Sequence, residues 1–329
     1  MNDAKHVTMG ANGPRVFPLA LGCMGMSGMY GPADEQESIA TIHAAIDAGV
    51  TLLDTGDFYG VGHNERLIGR AIEGRRDRVQ LSVKFGALRA PGGGWGGVDN
   101  RPAAVKNFAA YSLDRLGVEV IDIYRPARLD PNVPIEDTIG AIADLVKAGY
   151  VRHIGLSEVG VDTVRRAAAV HPIVDLQIEY SIASRGPETK IFGELRELGI
   201  GATLYGVLSR GLLTGSAPTG PGDFRAWLPR FAGDHRTSND DVVAKLGELA
   251  RAHGMTRGQL AIAWVRAKQP GFVPVIGART RVQLAESLGA LAHGLDAEAI
   301  AELERIVPAG AFAGDRYAAE QMHHLDSER

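Results

Sequence analysis

Cysteine is almost absent from the 329 residues. Cys23 stands alone, so no disulfide can close within the chain, and no histidine lies near it in sequence to make it a nucleophile. It reads as a small packing residue in a protein suited to a reducing compartment. No apolar run approaches a membrane span, and the opening MNDAKHVTMGANGP lacks the apolar stretch of a secretory signal, which predicts a cytoplasmic protein with no membrane partner. Excess positive charge is missing too: 35 Lys and Arg stand against 39 Asp and Glu, a formal net charge of -4, which disfavours nucleic acid and anionic surfaces. Metal-ligand spacing is missing among His63, His153, His171, His323 and His324, so no metal site is expected. Finally, the GxGxxG dinucleotide fingerprint does not follow the first apolar strand, where GCMGMSGMYG places Gly22, Gly25 and Gly28 three apart. A small-molecule protein on another α/β frame is what these absences leave.

What is present is rhythm. Short apolar runs recur at 16–22, 50–54, 79–84, 120–124, 151–157, 174–180, 201–206 and 272–277, each read as a strand. Amphipathic stretches at 35–49, 101–117, 134–149 and 186–199 lie between them as helices, several closed by glycine. Uninterrupted alternation without a linker predicts one domain over 1–329, a (β/α)8 barrel of the TIM type with an N-terminal β-hairpin and long loops on its C-terminal face. Two Gly- and Pro-rich segments, 91–100 and 216–240, follow the third and seventh strands and read as irregular loops on that face. The tail after Pro308, about 309–329, has no strong period and either lies over the barrel or stays mobile.

Side chains at strand C-terminal ends are the candidates for chemistry in such a barrel. LLDTGDFYG supplies Asp54 and Tyr59, and SVKFG supplies Lys84 as its last strand residue. Together they make a proton donor: a tyrosine, with a reference pKa near ~10, is a poor acid at neutral pH unless an ammonium favours the phenolate. Lys84 would supply that field and Asp54 would keep the lysine charged. Each alone has a plainer use, as a turn cap, a structural ion pair or rim packing; three on adjacent strand ends point to a site.

LLDTGDFYGVGHNERLIGRAI followed by VQLSVKFG resembles the aldo-keto reductases, in which an apolar pair, DTA, a YG and a GxNE precede a strand ending in lysine. The resemblance covers essentially the whole chain. It implies an NADP-dependent reductase converting an aldehyde or ketone to an alcohol, with Asp54, Tyr59 and Lys84 catalytic. IGLSEVG and LQIEYS resemble the segments that hold the nicotinamide carboxamide, implying Ser157 and Gln177, with Glu158 where Asn is more usual. YGVLSRGLLTG is similar to YSPLxxGxLTG, implying that Tyr205 stacks on the nicotinamide and that the backbone of Gly206, Val207, Leu208, Ser209, Arg210, Gly211 and Leu213 follows the pyrophosphate. PVIGARTRVQLAESLGAL resembles the strand and helix holding the adenosine 2'-phosphate. This implies Gly277, Arg279, Gln283 and Ser287, the last two where Arg and Asn are frequent, and NADP(H) over NAD(H). A plainer use of Arg279 and Arg281 is as solvated helix-start residues.

The fourth strand departs from the pattern. In the family it resembles this segment commonly reads DLYYQHRVDP, and here DIYRPARLDP puts Ala127 in the histidine's place. Alanine neither donates nor titrates. Strand alternation puts Arg125 on the face of Ala127, so Arg125 is the candidate cation for the developing alkoxide, against a structural pairing of Arg125 or Arg128 with a carboxylate such as Asp130. Two other readings stay open: an NADP(H)-binding sensor or accessory barrel with little turnover, and a barrel lyase or isomerase binding a substrate phosphate. Phe58, Trp95 and Trp227 are candidate walls for an apolar or aromatic carbonyl.

Overall fold

The computed structural model describes residues 6–91, 94–220 and 222–329. Eight parallel strands close into a barrel: β1 Ala20–Gly22, β2 Leu52–Gly56, β3 Gln80–Phe85, β4 Ile121–Pro126, β5 Val151–Ser157, β6 Ile173–Glu179, β7 Gly201–Tyr205 and β8 Val273–Gly277. Each strand pairs with its sequence neighbours, and β8 pairs with β1. All eight apolar runs are barrel strands. The first is shorter than its run because Arg15–Val16 pairs instead with Val7–Thr8 in an antiparallel hairpin.

Period-two burial sorts every strand into two faces. Leu53, Leu81, Val83, Leu156, Ile178 and Leu204 face outward onto Ile42, Ile68, Val105, Ile139 and Ile142 of the helical ring. The inward set splits by height. At the N-terminal end Leu52, Ile123 and Val273 pack with Met9 and Val16, so the hairpin plugs the barrel floor with apolar side chains. At the C-terminal end the inward residues are polar: Asp54, Ser82, Lys84, Arg125, Asp175, Gln177 and Thr203 are all buried.

The helices of the ring follow their strands: α1 Glu35–Asp47, α2 His63–Ala71, α3 Pro102–Leu116, α4 Ile135–Lys147, α5 Val161–Val170, α6 Ile191–Glu197, α7 Gly233–Ala252, α8 Arg257–Lys268, α9 Arg281–Gly289 and α10 Ala297–Ile306. Asp34 caps α1 by accepting from Glu37 N, and Thr280 caps α9 by accepting from Gln283 N, which fixes where the chain turns off the barrel rim.

Two loop expectations need correction. Segment 91–100 is not wholly irregular, because Trp95–Val98 pairs antiparallel with Ala87–Arg89; Gly97, at φ 98°, takes a conformation that side chains disfavour. Positions 92 and 93 lie outside the described residues. In 216–240, position 221 of which lies outside the described residues, two short 3-10 turns, Phe224–Trp227 and Pro229–Phe231, precede Gly233, where α7 begins. Its first turns, GDHRTSNDD, are polar on nearly every face, so the sequence offers no apolar stripe there. Of the two courses open to the tail, the structure takes the first: Tyr317, Ala318, Gln321 and His324 line the cavity over the barrel mouth.

Candidate active site

A cavity of about 790 Å³ opens on the C-terminal face of the barrel. Asp54, Tyr59 and Lys84 meet in its floor. Register explains the meeting: Asp54 stands opposite Ser82, and Lys84, one inward position higher, stands opposite Gly56. Lys84 Nζ donates to Asp54 Oδ1 at 2.5 Å, Ser82 Oγ donates to Asp54 Oδ2 at 3.0 Å, and Gln177 Nε2 donates to the same oxygen at 2.7 Å. Asp54 is thus fully engaged and only 5% exposed. The ammonium lies 5.2 Å from the centre of the Tyr59 ring.

Burial dominates the proton affinities. It pushes the Tyr59 phenol well above its ordinary range, with Asp54 adding to the rise and Arg128 opposing it. It also pulls the Lys84 ammonium down, against the Asp54 carboxylate that holds its proton. The lowering of the phenol expected from Lys84 does not govern it: burial and Asp54 prevail, and Tyr59 is a protonated donor.

Arg125 is not in the cavity. Opposite Lys84 in register, it points into the barrel interior, fully buried. Its Nη1 donates to Asp175 Oδ2 at 2.9 Å and Thr203 Oγ1 at 3.2 Å, and its Nη2 to Ser82 Oγ at 3.0 Å. The expectation of a substrate-facing Arg125 is corrected for a physical reason: a guanidinium one layer below the rim finds a carboxylate on β6 before it finds the opening. Asp130 is not its partner; that carboxylate caps Asn100 N and Asn132 N. The strand ends at Pro126, alternation stops there, and Arg128 turns into the cavity instead.

The other candidates divide as follows. Ser157, Gln177, Tyr205, Gly206, Val207, Leu208, Arg210, Gly211, Gly277, Arg279, Gln283 and Ser287 line the cavity. Leu213 points into the core and Ser209 is buried behind the lining. The Arg210 side chain is held by Glu179 at 2.8 Å. Glu158 has no free oxygen: it accepts from Arg316 at 2.9 and 2.6 Å, from Ser327 Oγ at 2.6 Å and from Glu179 N at 2.9 Å. Burial would raise the Glu158 pKa, but the Arg316 charge and hydrogen bonds win and hold it at about 2. Its φ of 54° is a strained conformation that this clasp keeps in place. Glu158 therefore ties down the tail. Sequence reasoning left Arg316 and Tyr317 out of the site because nothing local in AGDRYAAE marks them.

The residues fit a nicotinamide dinucleotide phosphate by what they leave unsatisfied. Ser157 Oγ, on the lining, is buried without a hydrogen-bond partner, and Gln177, its amide nitrogen on Asp54, keeps its carbonyl for a donor. Ser209 and Arg210 hold positive φ of 45° and 55° before Gly211 at 92°, a tight coil closed by Ser209 N donating to Gly206 O at 2.6 Å and Gly211 N to Leu208 O at 2.9 Å. Arg279 Nη1 donates to the carbonyls of Tyr30 at 2.9 Å and Pro32 at 3.0 Å, which aims the guanidinium without neutralising it.

The Aldo/keto reductase family model matches residues 18–308, and the chain belongs to that family, whose cofactor is NADP(H). It is 39% identical over 318 residues to "Probable aldo-keto reductase 1" of Glycine max, covering 94% of this chain and 91% of that protein. Among solved structures, it is similar to a glycerol dehydrogenase from Gluconobacter oxydans, with TM-score 0.82, 25% identity, and 92% and 95% of the two chains covered. It is also similar to an aldo/keto reductase from Klebsiella pneumoniae in complex with NADP and acetate, with TM-score 0.74, 26% identity, and 95% and 99% covered.

Proposed function

We propose that the protein reduces an aldehyde or ketone to an alcohol, with Tyr59 as the proton donor. The observation that carries this reading is the meeting of Asp54, Lys84 and Tyr59 in the floor of the cavity whose far rim holds Arg279. NADPH bound there supplies the hydride that reaches the carbonyl carbon. As negative charge grows on the carbonyl oxygen, the Tyr59 O–H donates to it and then transfers its proton. The phenolate left behind lies in the field of Lys84, which costs far less than a phenolate in an apolar pocket. Asp54 keeps Lys84 protonated and in place. Ser157 Oγ and the Gln177 carbonyl are the groups that orient the nicotinamide carboxamide, and Tyr205 offers its ring as the stacking surface. Arg279, with Gln283 and Ser287 beside it on the lining, is the group that holds the 2'-phosphate.

The test is Tyr59→Phe in an NADPH-oxidation screen over aldehydes, ketones and quinones. Removing a positioned acid lowers turnover by about 10²–10⁴-fold, and NADPH titration followed by fluorescence should show binding retained. Turnover that survives the substitution refutes Tyr59 as the acid. A wild-type protein that binds NADPH but oxidises none of it across the screen refutes the reductase reading itself.

A further inference from the structure

The arginines near the cavity are, with few exceptions, neutralised within the protein. Arg125 has Asp175 at 2.9 Å, Arg210 has Glu179 at 2.8 Å, Arg225 has Asp223 at 2.6 Å and Arg316 has Glu158 at 2.6 Å. Among the described residues that line the cavity, two guanidiniums away from the exposed rim have no carboxylate within 4.0 Å: Arg279 at the phosphate end and Arg128 at the reaction end. The carboxylate nearest the mouth on the tail, Glu320, is exposed and forms no pair with Arg128.

Arg128 is half-buried, and its Nη1 is fixed by the carbonyl of Ala127 at 2.6 Å. Its Nη2 reaches only Tyr317 Oη, at 3.4 Å. Most of the five N–H groups of the guanidinium thus have no protein acceptor. Its charge is felt by Tyr59 and by Lys84, so it stands in the electrostatic field of the reacting end. Glu158 stabilises the cation from a distance and the Tyr317 ring centre lies 5.8 Å from it, but neither takes up its open N–H donors, which suit an anion in the cavity. At the other end of the cavity Arg279 is likewise held by backbone carbonyls and not by a carboxylate.

We propose that Arg128 is an anion-recognising subsite, and that the carbonyl substrate carries a carboxylate that seats on it while its carbonyl faces Tyr59. The proposal rests on the reductase reading above. A planar fork of N–H donors matches a two-oxygen carboxylate better than the single oxygen of an alkoxide, for which Tyr59 already provides the donor. Phe58 and Trp227, on the same cavity wall set, favour an aromatic or extended apolar body between the two polar ends. Arg128 is here a specificity residue.

The experiment compares matched substrates on the NADPH-loaded protein: 3- and 4-formylbenzoate against their methyl esters, which differ in charge but little in shape. The acid-to-ester ratio of kcat/KM is expected to exceed about ten, the range of one charge-assisted hydrogen-bonded pair, and to reside in KM. Arg128→Met should collapse the ratio toward one, and Arg128→Lys should restore part of it. A wild-type ratio near one overturns the proposal and leaves the reductase reading intact. A loss in Arg128→Met that falls equally on acid and ester, in kcat, also overturns it, because Arg128 then acts on the alkoxide. Should neither compound turn over, benzoate titration of the NADPH complex by fluorescence decides: equal affinity in wild type and Arg128→Met overturns the subsite, and weaker binding in the variant supports it.

Discussion

Two buried charge clusters meet at the mouth of this barrel, and they are built from opposite materials. The inner one, Asp54, Lys84, Arg125 and Asp175, is made only of strand residues, brought together by barrel register and separated by 30 residues for Asp54 and Lys84 and 50 for Arg125 and Asp175. The outer one joins Glu158 and Glu179 on the rim to Arg316 on the tail, across 158 residues between Glu158 and Arg316. Neither cluster is expected to gain much stability over an apolar packing of the same space, since desolvation nearly cancels the attraction. Their difference lies in what happens when one member is lost. The inner cluster cannot open without opening the barrel, whereas the outer one can release its tail to water.

The largest effect expected from this contrast is chemical. Lys84→Met removes the field that receives the Tyr59 phenolate and leaves Asp54 without its cation, so single-turnover NADPH oxidation should fall by about 10²–10⁴-fold. A loss below ten-fold would mean that the inner cluster is scaffolding only. Next comes stability. Asp175→Asn strands the Arg125 charge in the barrel interior, where both partners are 0% exposed, and should lower the unfolding free energy by about 3–5 kcal/mol in a urea titration. An unchanged midpoint would break the distinction, because it would require an interior that admits water as freely as the rim.

Glu158→Gln is expected to cost less, about 1–2 kcal/mol, since its penalty is capped by local release of the tail and the exposure of Arg316 to solvent. Limited proteolysis should cut the variant near the tail while the barrel midpoint moves little. Acid should do the same to the wild type. Glu158 is depressed from 4.5 to about 2 in the fold, so the stabilisation it contributes is complete above about pH 4.5 and is lost as the pH falls toward 2. Tail protection that stays constant through that window would show that other contacts hold the segment, such as Asp326 Oδ2 accepting from Gly160 N at 2.8 Å and Thr163 Oγ1 at 2.7 Å.

The same contrast explains what could be read from the sequence. Asp54 and Lys84 were legible because each lies in the C-terminal half of a strand whose apolar run is plain in the sequence, and the barrel turns consecutive strands into neighbours. Arg125 was visible but misplaced: alternation gives the face a side chain takes, and says nothing of its height in the barrel or of Asp175 waiting at that height. Arg128 could not be placed because the period stops at Pro126. The tail was illegible throughout, since Arg316 and Tyr317 owe their positions to partners far away in the chain, and α7 was hidden at its start by an all-polar first turn.

The clasp also sets an order of events during synthesis. The eighth strand is complete at Gly277, so the barrel can close before Arg316 has been made. In that interval the Glu158 carboxylate has lost the partner its buried place demands, and it must keep water or take up a proton until the later segment arrives. A nascent chain paused between those two points would hold its barrel strands with Glu158 and Glu179 both still without Arg316.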